Sequence, residues 1–212
     1  MRLPRIILAD DHALFVEALR KLAAPHAEVV ATVGDGRALL AIAPSLKPDI
    51  VVIDVAMPLL NGLDTGRELK KRLPNVKLIF LTMNEDPDLA VEAMKSGASA
   101  YLLKTSASSE LFNAMREALR GKTYVTPQIA RGMEESFIRD PRGAKRDKSL
   151  TPRQREVVQL LAEGKPMKVV ADILRIAPRT VAFHKYRVMQ DLGLKTSAEL
   201  VQFAIKNQII VQ

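Results

Sequence analysis

The stretch Asp49 to Gly62, D-I-V-V-I-D-V-A-M-P-L-L-N-G, decides the fold. Ile50, Val51, Val52 and Ile53 form an unbroken β-branched run with a turn on either side. Such a run suits a strand buried on both faces of a parallel sheet. It ends on Asp54, and a carboxylate ending a buried strand belongs at the carboxyl edge of the sheet. Open α/β sheets hold their ligands at that edge. Pro58 and Gly62 follow at turn-forming positions, and a helical pattern starts near Leu63. Asp54 is therefore read as a reactive carboxylate.

The same alternation surrounds it. Strands are expected at Arg5–Ala9, Val29–Val33, Ile50–Asp54, Val76–Thr82 and Ala100–Lys104. Helical spacing falls between and after them, through Phe15, Leu19 and Leu22, then Leu39, Leu63–Arg72, Leu89–Lys95 and Leu111–Arg120. Gly97 and Gly121 follow the last two helices as stops. Five β/α repeats in ~120 residues call for an α/β fold with a five-stranded parallel sheet covered on both faces. Asp10, Asp11, Asp54, Thr82 and Lys104 then converge on one edge.

Each of these residues has an ordinary reading alone. Asp-Asp after a strand caps a helix, Thr82 caps a strand end, and Lys104 is a solvated charge. Together, at four strand ends in order, they describe a site. Three carboxylates in one pocket repel one another unless a cation intervenes. A hard divalent ion with oxygen ligands, Mg2+ above all, suits them. Asp54 is then a competent nucleophile toward a phosphoryl group. Lys104 can pair with one phosphoryl oxygen and Thr82 can donate to another.

Composition separates a second module. Residues 1–124 carry 16 Lys/Arg against 15 Asp/Glu, and residues 125–212 carry 16 against 9, out of a net charge of +8. A near-neutral front and a basic back suggest a polyanionic partner for the second part. Aromatics are 4% of the chain, which disfavours stacking on single strands, and the absence of Cys excludes disulfides and thiolate metal sites. No apolar run approaches a membrane span, and Ile6–Ala9 is too short for a signal-peptide core. The expectation is a soluble cytoplasmic protein.

Residues 125–147 read as a linker. It begins with a short helix through Ile129 and Met133 and continues as a flexible basic segment through Pro141, Gly143, Lys145 and Arg146. Residues 148–212 read as four helices. Thr151, Pro152 and Gln154 form a capping-box start, and Gly164 ends that helix. The second runs near Met167–Leu174 and the third from Pro178 to Leu192, with Gly193 as its stop. Thr196 and Glu199 suggest a second capping box. Helix, short turn, helix within a basic unit suggests a helix-turn-helix DNA reader. Periodicity alone leans toward an ordinary amphipathic third helix. In the DNA-reading alternative Val181 and Val188 face the core. Arg179, Thr180, Ala182, Phe183, Lys185 and Tyr186 face DNA, with Arg187, Lys195 and Thr196 at its flank. Phe183 can then touch a thymine methyl, and Tyr186 a base or a phosphate.

L-A-D-D-H, V-V-I-D-V-A-M-P-L-L-N-G, L-T-M-N-E-D and Y-L-L-K resemble the signatures of the receiver domain of two-component response regulators, over residues 4–121. L-T-P-R-Q-R-E-V-V-Q-L-L and P-R-T-V-A-F-H-K-Y-R-V-M-Q-D-L-G-L, within residues 149–210, resemble the LuxR-type helix-turn-helix. The pairing resembles the NarL/FixJ class. The resemblance implies a flavodoxin-like sheet of order 2-1-3-4-5, with Asp54 as phosphoacceptor. It implies Mg2+ ligands at Asp11, Asp54 and the Ala56 carbonyl, with Asp10 assisting through water. Thr82 and Lys104 match the switch threonine and phosphate-pairing lysine, and Tyr101 the aromatic that turns inward with the threonine. The implied partners are a sensor histidine kinase, double-stranded DNA and a second copy of the chain, phosphorylation controlling dimerisation and DNA binding.

Four positions depart from that pattern: Met83 after Thr82, Thr105 after Lys104, Ala177 at the recognition-helix cap, and Ala182 within it. Ala56 separates this reading from a phosphatase of related fold. Such an enzyme places an acid/base Asp two residues after its nucleophile, so no enzyme activity is expected. A phosphorylation-independent dimerisation module is the other rival, and the intact acidic set argues against it.

Overall fold

The computed structural model describes residues 2–139 and 150–210, the side chains of 135–139 aside. They form two compact units. The first alternates β1 (Arg5–Ala9), α1 (Ala13–Ala23), β2 (Glu28–Val33), α2 (Gly36–Leu46), β3 (Ile50–Asp54), α3 (Gly62–Arg72), β4 (Lys77–Thr82), α4 (Pro87–Lys95), β5 (Ala100–Leu103) and α5 (Ala107–Leu119). It closes with β6 (Tyr124–Val125) and α6 (Pro127–Arg139). The sheet order is β2-β1-β3-β4-β5-β6, every pairing parallel.

Continuous apolar runs in the strands follow from burial on both faces. Ile7, Val51, Ile53, Leu78, Phe80, Tyr101 and Leu103 share one core with Leu39, Leu69, Ala90, Ala93 and Ile129, from α2, α3, α4 and α6. Ile6, Leu8, Ile50, Val52, Ile79, Leu81 and Leu102 share the other with Leu19, Leu111 and Met115, from α1 and α5. In β1, β3 and β4 alternate residues thus feed opposite cores, so polar side chains fall only at the strand ends.

The expected five strands become six. After α5 the chain turns at Gly121, φ +76°, and runs along the free edge of β5. Tyr124 N–H donates to Ser99 O at 3.1 Å and Thr126 N–H to Tyr101 O at 3.0 Å. These bonds occupy an edge that would otherwise stay open. The order 2-1-3-4-5 is retained, with β6 added beyond it. Within the stretch read as a linker, α6 packs on the first unit: Ile129 is buried and Met133 lies against the same core. The basic segment expected after it, through Pro141, Gly143, Lys145 and Arg146, lies outside the described residues.

The second unit holds α7 (Pro152–Ala162), α8 (Met167–Leu174), α9 (Pro178–Leu192) and α10 (Ser197–Lys206). The capping box of α7 forms in full: Thr151 Oγ1 accepts from Gln154 N–H, and Gln154 Oε1 from Thr151 N–H. The box expected at α10 is half made. Thr196 Oγ1 accepts from Glu199 N–H, but the Glu199 carboxylate takes the Lys195 N–H at 2.7 Å, one residue earlier than a box requires. Ala177 precedes α9 with no side-chain cap, and Gly193, φ +71°, closes that helix. Among the described residues no helix is long and apolar enough to cross a membrane.

Candidate functional site

The carboxyl ends of β1, β3, β4 and β5 bring the sequence-predicted residues together. Asp10 and Asp54 are buried, Asp11 is exposed, and Lys104 begins the short 3-10 turn that follows β5. Lys104 Nζ lies 2.7 Å from Asp10 Oδ2 and 2.9 Å from Asp54 Oδ2. Its ammonium also sits 5.0 Å above the Phe15 ring. Asp54 Oδ1 accepts from the Ala56 N–H at 3.1 Å.

Gly62 shapes the turn that leaves Asp54. Its N–H donates to Val55 O at 2.9 Å, and a Cβ there would stand 2.1 Å from the Asp54 carbonyl oxygen. The glycine is needed because backbone lies directly on backbone. Thr82 is buried, and its Oγ1 accepts from Asn84 N–H at 2.9 Å. Tyr101 is fully buried, in an inward placement, and among the described residues its hydroxyl has no partner at hydrogen-bond geometry. Burial pushes this phenol far above its ordinary pKa, and the Thr82 side chain offsets only part of that.

Electrostatics at the edge are dominated by burial. Burial pushes the Asp54 carboxyl above the ordinary carboxylate range; Lys104 opposes this, and Asp10 adds to it. For Lys104 burial alone would lower the pKa, but hydrogen bonding and charge from Asp10 and Asp54 outweigh it and raise it. Two buried carboxylates sharing one lysine leave negative charge in surplus.

Asp10, Asp11, Asp54 and His12 offer ligand atoms all within 4.8 Å of one another. Several carboxylate oxygens around surplus charge suit a hard divalent cation, so the residues fit Mg2+. His12 belongs to this cluster, and sequence reasoning passed over it. Its Nδ1 lies 3.1 Å from Asp10 Oδ1 and 3.0 Å from Asp11 Oδ1. The signal was its place directly after the two aspartates.

Thr126 and Glu110 were also missed. Thr126 Oγ1 accepts from Leu103 N–H at 3.1 Å and donates to Glu110 Oε2 at 2.7 Å, pinning the start of α6 beside Lys104. No sequence pattern marks that bridge. Arg67 bonds Asp64 on its own helix and ties α3 to Glu92 on α4 and to Ser96 at the end of that helix.

In the second unit Val181 and Val188 are buried and the opposite side of α9 is open. Arg179, Phe183, Tyr186 and Arg187 are exposed, while Thr180, Ala182 and Lys185 are half-buried. Lys185 Nζ donates to Ser197 Oγ at 2.9 Å, and Arg187 pairs with Asp191 at 3.1 Å. Lys195 and Thr196 are exposed at the start of α10, where the Thr196 side chain is engaged in capping.

Residues 6–116 match the response regulator receiver domain, and residues 148–204 match the bacterial regulatory proteins of the luxR family. The chain is similar to the oxygen regulatory protein NreC of Staphylococcus epidermidis, at 31% identity over 97% of this chain and 99% of that one. It is also similar in structure to RcsB of Salmonella enterica serovar Typhimurium bound to a promoter with the phosphomimetic BeF3-. That likeness has TM-score 0.61 and 26% identity, over 95% of this chain and 98% of the other. A second RcsB structure, of two dimers bound to two parallel DNAs, matches with TM-score 0.60 and 26% identity, over 95% of this chain and 98% of that one.

Proposed function

Because the chain belongs to the response regulators that join a receiver domain to a LuxR-type helix-turn-helix, we propose that Asp54 is the residue through which its DNA binding is switched. The observation that carries this is the pair of Lys104 contacts, at 2.7 Å to Asp10 and 2.9 Å to Asp54, on the carboxyl edge of the sheet.

Ionised Asp54 attacks the phosphorus of a phosphohistidine on a sensor histidine kinase. A P–O bond forms, the P–N bond breaks, and the imidazole leaves. Asp10, Asp11, Asp54 and the Ala56 carbonyl would hold Mg2+, which supplies charge neutralisation to the phosphoryl oxygens. Lys104, shared between two carboxylates, is placed to pair with a phosphoryl oxygen. Thr82 accepts from Asn84 and keeps its own O–H to donate to another. That donation draws the β4–α4 connection toward Asp54, and the fixed charge biases the surrounding face. The aspartyl phosphate persists because Ala56, two residues on, supplies no acid or base to hydrolyse it.

The output is α9 in the major groove. The RcsB dimers on DNA support a homodimeric form of this chain reading half-sites about one helical turn apart. Acetyl phosphate with Mg2+ tests the switch. One stable phosphoryl group per chain, absent from Asp54→Ala, is expected, together with phosphodonor-dependent DNA affinity. Continuous release of phosphate would mean a phosphatase. A phosphodonor response that survives in Asp54→Ala would end the proposal.

A further inference from the structure

The open side of α9 carries two aromatic side chains between two long polar ones. Arg179, Phe183, Tyr186 and Gln190 are all exposed. Their spacing of four, three and four places them in one stripe along the helix. Val181 and Val188 are fully buried away from it. The two middle positions of the stripe are aromatic, with Phe183 64% and Tyr186 59% exposed. Large apolar side chains left in water on a binding surface mark where a partner removes that water.

The polar side chains around them are partly committed. Lys185 is bonded to Ser197 Oγ, and its ammonium lies 5.7 Å from the Tyr186 ring centroid. Arg187 is paired with Asp191 one turn along. Phe183 meets the His184 ring edge-on, at 5.6 Å between centroids. Beside it Ala182 adds a methyl group and no donor or acceptor. The centre of the stripe is therefore aromatic, with Phe183 its one wholly apolar side chain and Tyr186 keeping a hydroxyl, while Arg179 and Gln190 stand at its two ends.

The one methyl group on the major-groove edge of a base pair is the 5-methyl of thymine. A phenyl ring pressed on any other edge strips water from donors or acceptors and returns no hydrogen bond. We propose that Phe183 is a specificity-determining residue that reads a thymine 5-methyl near the middle of each half-site. This inference rests on the reading that α9 enters the major groove. It extends that reading from DNA in general to an A·T pair at a defined place, recognised without a hydrogen bond.

The test uses the full chain, phosphorylated with acetyl phosphate, and duplexes selected from a random pool. Each invariant thymine is replaced in turn by uracil, which removes the methyl and keeps the pairing edge. Affinities are read by fluorescence anisotropy. One position per half-site should lose about fourfold, the worth of one buried methyl group. Phe183→Ala should bind more weakly and bind thymine and uracil duplexes equally at that position. Its salt dependence should match wild type, since no phosphate contact is lost. Phe183→Leu should retain part of the discrimination. Sequence-selective binding with no uracil-sensitive position overturns the inference, as does undiminished sensitivity in Phe183→Ala. Failure to select any sequence would overturn the major-groove reading itself, and this inference with it.

Discussion

Lys104→Met probes the site's electrostatics and gives a magnitude. Nζ stands 2.7 Å from Asp10 and 2.9 Å from Asp54, with side-chain exposures of 8%, 0% and 1% for the three residues. Methionine keeps length and removes the charge. Breaking a buried ion pair by deleting one partner costs about 3–5 kcal/mol. The carboxylates have one escape, which is that one of them takes up a proton. Starting from the ordinary carboxyl value of 3.8, protonation at pH 7 costs about 4 kcal/mol, and at pH 5 about 2 kcal/mol. The penalty is capped by those figures, so it should fall from about 4 kcal/mol at pH 7 to about 2 kcal/mol or less at pH 5.

The sign follows from proton uptake. Burial already holds Asp54 above the ordinary range with Lys104 present. Without the lysine, the native state keeps a proton that the unfolded chain has released. Stability then declines as pH rises from the ordinary carboxyl value through the raised native one. Mg2+ replaces the missing positive charge, so it should restore more stability to the variant than it adds to wild type. Urea unfolding followed by circular dichroism at pH 5, 6 and 7, with and without Mg2+, measures all of this. An equal penalty at pH 5 and pH 7, or no extra recovery with Mg2+, would refute the reasoning.

Gly62→Ala should cost more than about 3 kcal/mol and abolish acetyl phosphate labelling, because the new Cβ meets the Asp54 carbonyl oxygen at 2.1 Å; wild-type unfolding and labelling would contradict it. Thr126→Val removes an acceptor for Leu103 N–H and a donor to Glu110. A loss of about 1–3 kcal/mol is expected, with hydrogen exchange rising first in β6 and α6. Thr151→Ala should lower the stability of the second unit by about 1 kcal/mol through loss of its capping box, seen as an earlier onset of its denaturant transition. Met83 is exposed beside Thr82 and should hinder water at Asp54. Met83→Ala should shorten the aspartyl phosphate half-life, and a wild-type half-life no longer than the variant's would count against that role.

Residues whose conformation is set by their immediate neighbours were legible in the sequence. Ile50–Asp54 reads as a strand ending on a carboxylate because four β-branched side chains in a row leave little else, and β3 has those bounds. Thr151, Pro152 and Gln154 announce a helix start because the capping bonds span three residues. The convergence of Asp10, Asp54 and Lys104 followed from strand order, which a βαβ alternation imposes through its crossovers.

What the tertiary structure decided depends on groups far apart in the chain. Two residues, Tyr124 and Val125, have no periodicity to read, and become a strand only because β5 offers an open edge. Ile129 looked like part of a linker, and is buried because α4 and the sheet leave a core position beside it. Thr126 gains meaning from Leu103 and Glu110, 23 and 16 residues away. His12 pairs with both aspartates through a side-chain direction that spacing does not specify. Gly62 was read as a turn former, yet its necessity is the Asp54 carbonyl beneath it, a contact that exists only once the chain has folded back on itself. Local sterics and hydrogen bonding are written in consecutive residues, whereas the space left over between packed elements is a property of the whole fold.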